Sequence, residues 1–221
     1  MSSRKWMVCV LLLLPLLVSA YGGDRPSRRA RHGQAASETE LVFDQITYRL
    51  INPSSNLLEL VDGKTAAGTF SIPEKISIKD KDYTVTSIGN EAFYESTGLT
   101  SVVIPNSVTS IGDMAFGNCT RLTSVVIPNS VVSIGTGAFY GCSALKAITI
   151  PQSVTVIGNG AFSGCTGLTS VRVPNPDASI GWEAFGSCSN LTSATIPEKY
   201  RGDWEGIFRF CPKLKNVNFK D

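Results

Sequence analysis

Six cysteines carry the most reactive chemistry in this 221-residue chain. Cys9 stands apart near the N-terminus, while Cys119, Cys142, Cys165, Cys188 and Cys211 follow one another at intervals of 23 residues. Cysteines in an exported chain usually read as a disulfide framework, but equal spacing argues differently. If the chain turns once per interval, the five side chains point the same way, and parallel Cβ directions work against the torsion an S–S bond requires. A column of buried, reduced thiols fits better, and Ser96, one interval before Cys119, suits packing and not pairing. Metal ligation has little support: there is no Cys-x-x-Cys pair, and the only histidine, His32, lies outside the array.

Arg201-Gly202-Asp203 is the other chemically suggestive string, and it resembles the tripeptide that integrins recognise in matrix proteins. It lies in IPEKYRGDWEGIF, residues 196–208, where a carboxylate occupies a slot held by isoleucine in five earlier units, Ile88, Ile111, Ile134, Ile157 and Ile180. An unpaired carboxylate in an apolar column costs several kcal/mol. The segment is therefore expected to be rebuilt, with Tyr200, Trp204 or Ile207 filling the vacated space and Asp203 turned to solvent. Two Asn-x-Thr sequons, at Asn118 and Asn190, are candidate glycosylation sites.

Catalytic chemistry is not indicated, and the chain is read as a non-enzyme without cofactors. GTGAFYG and GNGAFSG are glycine-rich, yet their glycines recur at the 23-residue interval and no helix with a lysine follows, so turns account for them. No Gly-x-Ser-x-Gly motif, no carboxylate pair in an identifiable cleft and no histidine base in the repetitive part is present.

What positions all these residues is a repeat. Phenylalanine falls at 93, 116, 139, 162, 185 and 208, leucine at 99, 122, 145, 168, 191 and 214, and Ile-Gly at 88, 111, 134, 157 and 180. Each unit reads L-x-x-[VIA]-x-[IV]-P-x-x-[VA]-x-x-I-G-x-x-A-F-x-x-C-x-x, and its opening has the spacing of the short parallel strand of a leucine-rich repeat. One coil cannot bury Leu, Ile and Phe alone, but coils stacked about 4.8 Å apart line them into continuous apolar columns. The glycine of each Ile-Gly pair is expected to supply a backbone path that a Cβ would obstruct.

Residues 85–219 resemble the BspA-like, or Treponema-type, leucine-rich repeats of secreted and cell-surface proteins, through the signature I-G-x-x-A-F-x-x-C. The resemblance implies a leucine-rich-repeat solenoid with a parallel β-strand ladder on its concave face, and a role in adhesion and matrix-protein binding. Residues 85–221 are assigned to this array, ending in a polar C-terminal coil. Residues 41–84 alternate apolar and polar types around Asn-Pro-Ser-Ser-Asn and Asp-Gly-Lys, and read as an N-terminal β-hairpin-type cap with a degenerate first coil.

Upstream, Arg4 and Lys5, an apolar run from Trp6 to Val18 and the small residues Ser19 and Ala20 make residues 1–20 a secretory signal peptide. That run rises only about 20 Å as a helix, short of the ~30 Å hydrocarbon core, so a mature chain without a transmembrane segment is expected. Residues 21–40 read as a flexible Arg-rich linker or propeptide, and Arg28-Arg29-Ala30-Arg31 resembles a furin-type processing site. Residues 41–221 hold 14 Lys and Arg against 15 Asp and Glu, a net of −1, so the folded part offers no basic footprint for nucleic acid.

The strand residues pointing away from the core are the candidate binding face: Ser101 and Val103, Ser124 and Val126, Ala147 and Thr149, Ser170 and Arg172, Ser193 and Thr195, Asn216 and Asn218. These are small, hydroxyl-rich and almost uncharged. The expected partner is an extracellular or cell-surface protein, such as a matrix protein or integrin-like receptor, bound by a secreted or surface-displayed adhesion module. The alternative is a structural or immune-recognition ectodomain that binds a glycan or microbial surface.

Overall fold

The computed structural model describes residues 40–221 apart from residues 53 and 79. The expected signal peptide and Arg-rich linker, with Cys9 and His32, lie outside the described residues.

The chain opens with an antiparallel hairpin of β1 (Glu40–Phe43) and β2 (Ile46–Leu50). Asp44 and Gln45 both adopt positive φ, as a tight two-residue hairpin turn demands. β3 (Leu57–Asp62) then pairs antiparallel with β2, and Arg49 is bound to Glu59 across the pair at 2.9 Å. β4 (Gly68–Ser71) leaves this sheet, while β5 (Lys75–Ile78) folds antiparallel against β6 (Lys81–Ile88). β6 runs parallel to β3, so the antiparallel cap merges directly into the coils that follow.

From β6 onward the chain is a leucine-rich-repeat solenoid with two parallel ladders. The first joins the end of β6 to β8 (Ser110–Ile111), β10 (Ser133–Ile134), β11 (Val156–Ile157) and β13 (Ser179–Ile180). The second is built from the Leu-x-x-Val-x-Ile openings. It joins β4 to β7 (Leu99–Val103) and β9 (Ser124–Val126), and separately β12 (Ser170–Arg172) to β14 (Ser193–Pro197) and β15 (Asn216–Lys220). Between these trios the coil 145–150 carries no strand. There Lys146 replaces a threonine whose hydroxyl elsewhere ties coils together, as Thr123 Oγ1 does to the Thr100 carbonyl at 2.9 Å and Thr192 Oγ1 to Thr169 at 3.0 Å.

Aromatic stacking fixes the spacing of the coils. The rings of Phe93, Phe116, Phe139, Phe162 and Phe185 are fully buried and lie nearly parallel, with centroids 4.9, 5.1, 5.1 and 5.2 Å apart. That separation matches the distance between hydrogen-bonded strands, so one column satisfies ring packing and backbone pairing together. Columns of Leu, Ile, Val and Ala complete the core.

The Ile-Gly glycines serve close approach and not unusual backbone angles. None of Gly112, Gly135, Gly158 and Gly181 has positive φ, but a Cβ on Gly158 would lie 2.5 Å from the Thr136 nitrogen and 2.6 Å from the Gly135 carbonyl carbon. Left-handed positions lie instead in the turns beside Ala-Phe, where Gly137, Gly141, Gly160 and Gly164 sit, along with Met114, Asn118 and Glu183. These four glycines are the later ones of GTGAFYG and GNGAFSG, and turn geometry accounts for them, while the first glycine of each, Gly135 and Gly158, serves close approach.

Candidate binding face and the final coil

The cysteine column is an internal hydrogen-bonding device. Cys119, Cys142, Cys165 and Cys188 are buried free thiols, and Cys211 is half-buried. Each Sγ donates to the carbonyl of the phenylalanine 26 residues earlier, at 3.0 Å for Cys119, 3.1 Å for Cys142, Cys165 and Cys211, and 3.3 Å for Cys188. A thiol suits this slot because it packs as a small hydrophobe and still offers a weak donor to an interior carbonyl. Burial pushes the Cys119 and Cys165 thiols up to about 12, and it raises Cys142 as well. In the last pair the two neighbouring thiols act on one another, so that Cys188 is raised and Cys211 lowered. Ser96, which opens the column, is buried with its hydroxyl unpaired.

The strand face presents the residues its sequence pattern nominates. In the first trio Ser101 faces Ser124 and Val103 faces Val126. In the second, Ser170, Ser193 and Asn216 form one row, and Arg172, Thr195 and Asn218 the next. All are exposed or half-buried, as are Ala147 and Thr149 in the coil between the trios. The face thus has an apolar half, where Val103 is 47% and Val126 63% exposed, and a polar half that carries Arg172 and, at the end of β15, Lys220.

The final coil closes the first ladder by side-chain chemistry. Tyr200 Oη accepts the Ile180 N–H at 2.7 Å and donates to the Ala178 carbonyl at 3.2 Å, groups on the open edge of β13. Ile207 is buried, and Tyr200 and Trp204 pack on the core from the side. Asp203 is exposed, so the isoleucine slot is vacated and no carboxylate is buried.

Arg201-Gly202-Asp203 runs between a 3-10 turn, Glu198–Tyr200, and the short helix α1 (Trp204–Ile207). Arg201 forms a fork with the Glu198 carboxylate, Nη2 to Oε2 being 2.9 Å, and its guanidinium lies 4.6 Å from the Phe219 ring centre. Its partners therefore come from its own coil and from the β15 strand that follows it. The sequon side chains are also engaged: Asn118 Nδ2 donates to Tyr94 Oη at 3.1 Å and Asn190 Nδ2 to the Thr166 carbonyl at 2.8 Å. Of the two, Asn190 is exposed and Asn118 half-buried.

Sequence reasoning missed Trp182. It stands where earlier coils carry Asn90, Asp113, Thr136 and Asn159, and it is 58% exposed beside a cleft of about 750 Å³ between the last regular coil and the rebuilt one. The signal was available, since an indole in a polar slot breaks the pattern as plainly as Asp203 does.

Stacked 23-residue coils, each contributing a short parallel strand and a buried phenylalanine, define a leucine-rich-repeat protein. Residues 86–215 match the BspA type leucine rich repeat region in six copies, and the chain belongs to that family. A leucine-rich repeat protein from Bacteroides ovatus is similar at 30% identity over 80% of this chain, with a TM-score of 0.65, and this chain spans 52% of its length. A leucine-rich repeat protein of T. pallidum is 27% identical over 78% of each chain, with a TM-score of 0.66. The pneumococcal vaccine antigen PcpA shares the fold at 22% identity and a TM-score of 0.64, over 85% of this chain and 51% of its own. No curated protein matches in sequence. Among the described residues, no helix is long and apolar enough to cross a membrane.

Proposed function

We propose that this protein is a secreted or surface-displayed adhesion module that binds an extracellular protein through the exposed face of its second ladder. The observation that carries the reading is the in-register pair Val103 and Val126, two exposed apolar side chains on adjacent strands, bordered by the Ser101–Ser124 row and free of charge. Exposed apolar groups with a polar surround are what a protein partner desolvates first. The leader pattern of residues 1–20 and membership of the family support export, and the repeat array is read as a binding and not a catalytic surface.

The test is binding of the purified chain to immobilised matrix proteins, comparing Val126→Lys and Val103→Lys with a Val132→Lys control outside the opening strands. Loss of about tenfold or more in affinity for the first two alone supports the strand face. Equal binding by all three rejects it. The Arg-Gly-Asp reading is tested alongside: Asp203→Glu abolishes cell attachment if that string is the site and leaves it unchanged otherwise.

A further inference from the structure

The cleft beside Trp182 is a product of the broken repeat. Where each earlier coil places an isoleucine, the rebuilt coil turns Asp203 outward, and the space it leaves is floored by Ile180 and Ile207 and walled by Tyr200. At about 750 Å³ it lies within the range of small-ligand sites, roughly 300–1,000 Å³.

Its walls carry two kinds of chemistry. Trp182 supplies a broad apolar surface held in place by the rebuilt coil: a Cβ on Gly206 would meet the indole Cζ3 at 2.5 Å, so only glycine lets the backbone lie against the ring. The rim carries Lys199 and Arg209 beside Asp203 and Glu205. The two cations have partners in the fold, Lys199 on the Asp177 carbonyl at 3.0 Å, and Arg209 on Glu183 at 3.5 Å and over one face of the Trp182 ring, 5.4 Å from its centre, which leaves the other face for a ligand. The carboxylates of Asp203 and Glu205 have none among the described side chains and stand as free acceptors.

With both cations engaged in the fold, the rim has no free positive charge to draw an anion. A flat exposed indole beside unoccupied acceptors favours a neutral ring with an apolar face and hydroxyl donors at its edge. We propose that this cleft is a carbohydrate subsite for a neutral hexopyranose, the C–H face lying on Trp182 and the ring hydroxyls donating to Asp203 and Glu205. The site is separate from the strand face and stands or falls independently of it.

The chain holds three tryptophans, Trp6, Trp182 and Trp204, so indole-¹⁵N labelling of the full protein gives at most three side-chain signals. Titration with methyl glycosides of glucose, galactose and mannose, and with N-acetylglucosamine, is expected to move the Trp182 signal saturably for at least one sugar, with a Kd on the order of 1 mM. Trp182→Ala and the double change Asp203→Asn, Glu205→Gln should each weaken that sugar about tenfold, the effect of a lost stacking or hydrogen-bonding contact. Affinity of the double variant is followed on the Trp182 signal, and that of Trp182→Ala by calorimetry. Gly206→Ala, which displaces the indole, should weaken it too, while Val126→Lys should not. The proposal is overturned if no sugar moves the Trp182 signal, if Trp182→Ala binds as well as the parent, or if a sulfated oligosaccharide alone binds.

Discussion

Replacing Gly158 by alanine tests the claim that the Ile-Gly glycines set how closely coils approach. The added Cβ would fall 2.5 Å from the Thr136 nitrogen, 2.6 Å from the Gly135 carbonyl carbon and 2.8 Å from its oxygen, all backbone atoms of the preceding coil. No side-chain rotation relieves such contacts, so the coils must part by close to an ångström. That strains the Gly158 N–H to Ile134 carbonyl bond, now 2.8 Å, and the Ile134–Ile157 pairing beside it. Overpacking costs about 1–3 kcal/mol and a weakened buried hydrogen bond about 0.5–1.5 kcal/mol. Reduced freedom of the unfolded chain returns about 0.4–1 kcal/mol, leaving a net loss of roughly 0.5–4 kcal/mol. Gly202→Ala is the matched control, since its Cβ would meet nothing within 4 Å and its φ is not positive. Urea unfolding followed by circular dichroism measures both. A Gly158→Ala midpoint indistinguishable from the parent, or an equal loss at Gly202, refutes the close-approach argument.

Other expectations rest on single groups. Tyr200→Phe removes the hydroxyl that bridges Ile180 and Ala178, and should cost about 1–3 kcal/mol while speeding exchange of the Ile180 amide measured by NMR. Ser96→Ala relieves a buried unpaired hydroxyl and should raise the unfolding midpoint, by about 1 kcal/mol in stability. Of the five array thiols, Cys211 should be labelled first by a thiol reagent in the native protein, because it is half-exposed and shifted down, and peptide mass mapping would identify it. Alkaline pH should destabilise the fold. Between the unfolded thiol value near 8.5 and the folded value of about 12, Cys119 and Cys165 keep protons that the unfolded chain has released. Stability therefore falls as pH rises through that window, by up to about 1.4 kcal/mol per pH unit for each thiol, and denaturant midpoints at pH 8 and 11 would show it.

The period was legible because one coil repeats one set of burial demands, so Phe93 to Phe208 and Leu99 to Leu214 had to recur in step. The turn at Asp44-Gln45 was not, since neither residue is the glycine that usually marks positive φ. Nor was the Ser-Ile ladder, whose two-residue strands are too short to show alternation. The outward strand positions followed from alternation alone. Arg201 needed coordinates: its pairing with Glu198 depends on the 3-10 turn that brings the two side chains together. Trp182 was readable in principle, but only by aligning polar slots as carefully as apolar ones.

The lateral bonds of the array share one further property: each spans about one coil in sequence. Ser107 reaches back 22 residues, Thr123 23 and Cys142 26, and the regular coils repeat these spans. A chain folding this way closes a loop of nearly constant size at every step, and the entropy of closure does not grow as coils are added. Folding then proceeds like a zipper from any coil that has formed beside its neighbour. Whole 23-residue units can therefore be gained or lost without lengthening the slowest search, which gives such an array a kinetic licence to vary in length.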